Sequence, residues 1–181
     1  MAYNCGDETA SQMGRLTLNP ISHLDLMGSM MILFVGFGWA KPVPVNSSNL
    51  RNPRKDLMKV AAAGPLSNLI LAMIAGMVMR LLSGTGFLTD STFMLLLYFT
   101  QINIALAVFN MIPVAPLDGS QIFSGYLIRK NPNLVVNMQA YGPQVLFGLI
   151  LFGYVTGFSI LWLIMKPFVS FFMILFAGIS I

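Results

Sequence analysis

The chain has 181 residues, enough for one domain, of which 56% are hydrophobic and 9% charged. A soluble domain carries about 25% charged residues, so a water-soluble globule is excluded and the solvent for much of this surface is lipid. The net charge of +4 is small, and the basic residues have no interleaved aromatics, which excludes nucleic-acid binding.

Residues 1–23 are polar and turn-rich. They lack the basic start and apolar core of a signal peptide. Asp7 and Glu8 before Thr9 read as a solvated turn or helix start. The single Cys5 rules out an internal disulfide and a thiolate zinc cage. "GRLTL", residues 14–18, alternates like a short strand and predicts an extended, β-like element near the N-terminus. Leu26–Ala40 is charge-free but 15 residues long, short for a span, so a short apolar, re-entrant or tilted segment is expected over 24–40. Its end, "GWAKPVPV", allows only an edge strand or an extended run, which a hairpin-like pairing with "GRLTL" would satisfy.

Spans are predicted over 57–82, 91–112 and 143–165, with 167–181 as a short last span and 121–143 as a connector. The expected fold is an all-α polytopic membrane protein of about four transmembrane or half-membrane helices, forming a single domain over 1–181. Lys41, Arg51, Arg54, Lys55 and Lys59 cluster between two apolar regions, around the start of the first span, and Arg129 and Lys130 lie before the third. The loop Ser83–Asp90 has neither Lys nor Arg. Positive residues favour the cytoplasmic side, so the first and third of these loops are expected inside and the middle one outside. In the first span Ala61, Pro65, Asn68, Ala72 and Gly76 share a small-residue face that lets a neighbouring helix approach. The bland reading is packing. Asn68 adds a polar amide that needs a partner in lipid.

The second span ends in "NMIPVAPLDG", residues 110–119. Asn103 and Asn110 are seven apart and share a helix face. Pro113 and Pro116 break the helix and free backbone carbonyls, and Asp118 follows. An Asp-Gly pair is commonly only a turn. A carboxylate beside an apolar span is costly and points to function, and a metal ion would satisfy it with an oxygen ligand. His23 is the only histidine, with Asp25 two residues on. A lone interfacial His is usually structural. His23, Asp25 and Asp118 offer three ligand types, but nothing in their spacing requires a shared site. There is no GxSxG, no phosphate loop and no HExxH.

"GRLTLNPISHLD", "FGWAKPVPVN", "AAAGPLSN" and "FNMIPVAPLDG" occur in this order over roughly residues 2–125. Together they resemble the site-2 proteases, intramembrane zinc metalloproteases, in the compact bacterial-type branch without a PDZ insertion. The resemblance implies a multi-pass protein of a prokaryotic plasma membrane. Its partners would be lipid and a transmembrane or membrane-proximal peptide substrate. It implies zinc as cofactor, Asp118 as a zinc ligand and Asn110 as a polar helper near the scissile bond. Gly64, Pro65, Asn68, Pro113, Pro116 and Gly119 would be supporting residues, with His23 and Asp25 outside the metal set. The family's HExxH helix, with two His ligands and the general base, would precede residue 1. The expectation is therefore an N-terminally shortened, inactive form. The alternative is a pseudoprotease or membrane scaffold that captures helices without cutting them.

Overall fold

The computed structural model describes residues 1–36 and 38–180. Phe37, within the expected short apolar segment, and Ile181, at the end of the expected last span, lie outside the described residues. Contacts divide the chain into two compact units, Met1–Leu57 and Met58–Ile181.

The first unit is made of short helices and extended turns: a 3-10 turn Tyr3–Cys5, α1 (Thr9–Gln12), 3-10 turns Pro20–His23 and Ser47–Asn49, and α2 (Leu26–Val35). The unit is organised by side chains. Asp7 is 1% exposed and accepts from Thr9 Oγ1 at 2.5 Å, Thr9 N at 3.1 Å, Asn46 N at 2.8 Å and Asn49 Nδ2 at 3.2 Å. The expected solvated turn is therefore corrected to a buried node. The Thr9 hydroxyl bond, followed by the Asn46, Thr9 and Asn49 donors, outweighs burial and lowers the Asp7 carboxyl from 3.8 to about 2. Cys5 is buried and its thiol is free.

"GRLTL" is not a strand. Among the described residues the only β pairing is an isolated antiparallel bridge, Leu24 with Ala40. Arg15 ties this region instead, donating to the carbonyls of Ser22, Lys41 and Pro42. Asp25 caps α2, its Oδ1 accepting from Gly28 N at 2.8 Å, and Gly36 ends the helix with φ 72°. Ten residues of α2 rise about 15 Å, half a hydrocarbon core. Gly28 must be glycine, because a Cβ there would overlap the Trp39 carbonyl.

The second unit is helical. α3 (Pro53–Leu82) has its first turn in the first unit. α4 (Asp90–Asn110), α5 (Asp118–Leu127), α6 (Pro132–Thr156) and α7 (Ile160–Ala177) follow. α3, α4, α6 and α7 are each long and apolar enough to cross a membrane, and the chain is built as an integral membrane protein. Met165, Val169, Met173 and Ala177 recur every fourth residue on α7 and pack with Ala72, Met79 and Ile104 into the main core. At Gly76 a Cβ would lie 3.0 Å from Phe176, so the absent methyl sets the α3–α7 approach. A second cluster joins Leu117, Leu146 and Leu161. It holds α6 and the start of α7 at the end of α4 that leads to Asp118.

The expected spans 143–165 and 167–181 have different bounds in the structure. The break falls at Gly157, φ 71°, and Ser159, whose side chain caps α7 by accepting from Trp162 N. Pro143 and Pro167 lie inside helices, which membrane helices tolerate because neighbours re-satisfy the freed groups. Most of the expected connector 121–143 is helix: the end of α5 and, after the Asn131 cap, the start of α6.

Candidate functional site

The site is built where α4 stops. Asn110 is the last residue of α4, and Met111 caps it through its backbone N–H. The chain then turns tightly: Val114 N donates to Ile112 O at 2.8 Å and Leu117 N to Val114 O at 3.0 Å. The Ala115–Pro116 peptide is cis. Ser120 closes the turn, its Oγ donating to Leu117 O at 2.7 Å. Pro113 and Pro116 are exposed, while Ala115 and Leu117 are buried. Gly119 fits only as glycine, since a Cβ would overlap the Met111 carbonyl and lie 2.6 Å from Ile112 O. Ala115 is pressed against α6 at Gly142, where a Cβ would lie 2.7 Å from the Ala115 Cβ.

This turn delivers Asp118 to the first position of α5, half-buried, where the helix N-terminus favours an anion. Burial pushes its carboxyl up from the ordinary 3.8. Gly64 of α3 faces it: a Cβ on Gly64 would lie 3.2 Å from Asp118 Oδ2. Gly64 is itself exposed, and with no side chain there the carboxylate on that side meets only main chain. Pro65 is buried beside it. Asn68 follows one turn later on the same face of α3, half-buried. Further along α5, Gly125 meets the Met58 side chain, where a Cβ would come within 2.5 Å. The "AAAGPLSN" and "PLDG" segments, 50 residues apart, are thus brought side by side.

The two asparagines of α4 are engaged locally. Asn110 Nδ2 donates to Leu106 O at 2.9 Å and Asn103 Nδ2 to Phe99 O at 2.8 Å. In the first unit, His23 Nε2 bonds Thr17 O at 2.9 Å, and Asp25 is the α2 cap. Among the described residues no three His, Cys, Asp or Glu gather as a metal-holding group. A catalytic zinc needs about three protein ligands. The residues described, with Asp118 as the single carboxylate at this turn, do not by themselves fit a zinc ion.

One feature of the site was missed by the expected connector. A groove of about 590 Å³ adjoins the proline turn, between Pro113 and Val114 on one wall and Asn131, Asn133, Asn137 and Tyr141 of the α6 side on the other. Its sequence signal is a row of polar residues four apart at the start of an apolar helix.

Residues 87–153 match the family described as Peptidase family M50. A protein of Bacillus subtilis (strain 168) bearing the name "Putative zinc metalloprotease YwhC" is 40% identical over 167 residues, which cover 90% of this chain and 75% of that protein. The chain belongs to the site-2 protease family, peptidase family M50. No solved structure matches it. Membership fits the geometry: the family match contains the whole α4–turn–α5 unit that carries Asp118. Zinc is the family's metal.

Proposed function

We propose that this site-2 protease family member takes part in hydrolysing peptide bonds within or next to the bilayer of a prokaryotic plasma membrane, with Asp118 as one ligand of the family's zinc. The observation that carries this reading is the half-buried Asp118 carboxylate lying against Gly64. A turn that needs a glycine at 119 and a bare helix flank at 64 presents an acid in a half-buried place where burial opposes its ionisation. Such an arrangement suits a group reserved for a cation. Asn110, at the last turn of α4, is the polar helper of this reading. Its amide N–H₂ donates to Leu106 O, and its oxygen is the acceptor this role would use.

The described residues supply too few ligands to hold zinc unaided, so no hydrolytic step is derived from them. The 181 residues alone are expected to bind substantially less than one zinc per chain and to be inactive. That ligand count also favours a second reading, a membrane protein that captures peptides without cutting them.

The test is cleavage of a membrane-anchored peptide by these 181 residues joined to an HExxH segment of the family, which supplies the missing ligands and base. Asp118→Ala is expected to remove activity by at least about a hundredfold, and equal cleavage in both would sink the ligand role. Asp118→Asn should unfold at the same temperature as the parent or higher. The raised carboxyl loses stability for the fold as pH rises through its range, and the amide removes that loss. Zinc-independent peptide capture with no cleavage in the parent protein would select the second reading.

A further inference from the structure

The groove between the proline turn and α6 has a chemistry that the Asp118 site does not use. Leu134, Asn137, Met138, Tyr141 and Val145 follow helical spacing along one face of α6, opposite Pro113 and Val114. This face is neither packed nor purely apolar. Leu134, Tyr141 and Val145 are 40%, 65% and 51% exposed, and the amides of Asn133 and Asn137 are exposed too.

We propose that this groove is a binding site for an extended stretch of polypeptide, the segment of substrate adjoining its membrane-embedded part. The proposal rests on the peptidase reading above.

Two dimensions support it. Asn133, Asn137 and Tyr141 stand four residues apart, so their Cα atoms step about 6 Å along the helix. Backbone groups on one side of an extended chain repeat every second residue, about 6.6 Å. Two amides and a phenol can therefore address alternate peptide units in register. From Asn131 to Val145 the groove runs about 21 Å, the length of about six extended residues.

The lining chemistry selects among occupants. Among the described residues no charged side chain lines the groove, so a phosphate headgroup would find no cation there. An acyl chain has no group that the lining amides and the phenol can pair with. A peptide backbone offers both the donors and the acceptors that Asn and Tyr use. The polar end, Asn131 and Asn133, and the apolar end, Val145, match a chain passing from water towards lipid. Asn131 takes part with its amide N–H₂ only, because its Oδ1 caps α6 by accepting from Leu134 N at 3.1 Å.

The test uses the full chain in phosphatidylcholine nanodiscs and a fluorescent single-span peptide ending in about seven uncharged polar residues. Asn133→Leu combined with Asn137→Leu removes two hydrogen-bonding amides and is expected to raise Kd about tenfold. Asn133→Gln with Asn137→Gln, which keeps the amides, should stay within about threefold of the parent. Val136→Leu, at a residue 61% exposed and outside the groove lining, should change nothing. Circular dichroism and the unfolding midpoint confirm that each variant is folded. An unchanged Kd in the Leu pair overturns the proposal. So does displacement of the peptide when phosphatidylglycerol replaces part of the nanodisc phosphatidylcholine, which would make the groove a lipid seat. Binding is read without hydrolysis, so the two readings fail separately. Cleavage insensitive to Asp118→Ala removes the peptidase reading and leaves the binding result standing. An unchanged Kd beside Asp118-dependent cleavage removes the groove alone.

Discussion

Residues 1–57 and 58–181 are held together by opposite means. In the first unit, side chains bond to backbone: Asp7 gathers Thr9, Asn46 and Asn49, and Arg15 gathers three carbonyls. In the second, helices satisfy their own backbone, and stability comes from fitted apolar contacts such as Met79, Ile104 and Met173. The difference follows from solvent. Loop-rich chain has backbone groups left over, which only polar side chains or water can pair. A helix in lipid has none to spare, and gains from close packing rather than from escaping water.

If that contrast is right, the largest effect comes from emptying the helical core. Met173→Ala is expected to cost about 2 kcal/mol by detergent unfolding, the lower end for such truncations, because lipid rather than water receives the exposed surface. A loss below about 0.5 kcal/mol would show that the α4–α7 seam does not hold the unit. Gly119→Ala and Gly28→Ala come next, at about 1–3 kcal/mol each, since both press a methyl onto a carbonyl. They place the same lesion in the two units, so local proteolysis should rise only in the unit that carries it.

Acid sharpens the contrast further. Asp7 has its carboxyl lowered to about 2, so its bonds stabilise the fold at neutral pH and are lost as pH falls from 3.8 towards 2. Amide exchange at Asn46 and Thr9 should quicken across that window, and Asp7→Asn should flatten the change. Equal acid sensitivity of amides in α4 and α7 would erase the distinction. The smallest effect is Asn110→Leu. Its side chain bonds only its own helix at Leu106 O, so stability should move by no more than about 0.5 kcal/mol.

The helices at 57–82 and 91–112 were legible because charges and polar loops bracket them. The boundary between α6 and α7 was not, since 131–165 carries no charge and its break depends on Gly157 and the Ser159 cap. Pro143 and Pro167 misled because a rule learned in water treats proline as a stop. At the site, Asp118 and the prolines stood out as an acid and helix breakers on an apolar background. That Gly64 would face Asp118 depends on how α3 packs on α5, which no local pattern encodes. Asp7 was passed over because its partners, Asn46 and Asn49, lie about 40 residues away.

The bare stretch of α3 at Gly64 carries a consequence of its own. Where a side chain guards an acid, access is a matter of rotamers and can be gated by a small torsion. Here the neighbour is main chain, held in a helix of 30 residues, and it has no rotamer to turn. A side chain added at 64 would bring a Cβ to 3.2 Å from the carboxylate, so the bareness of that position is itself what keeps the acid uncrowded.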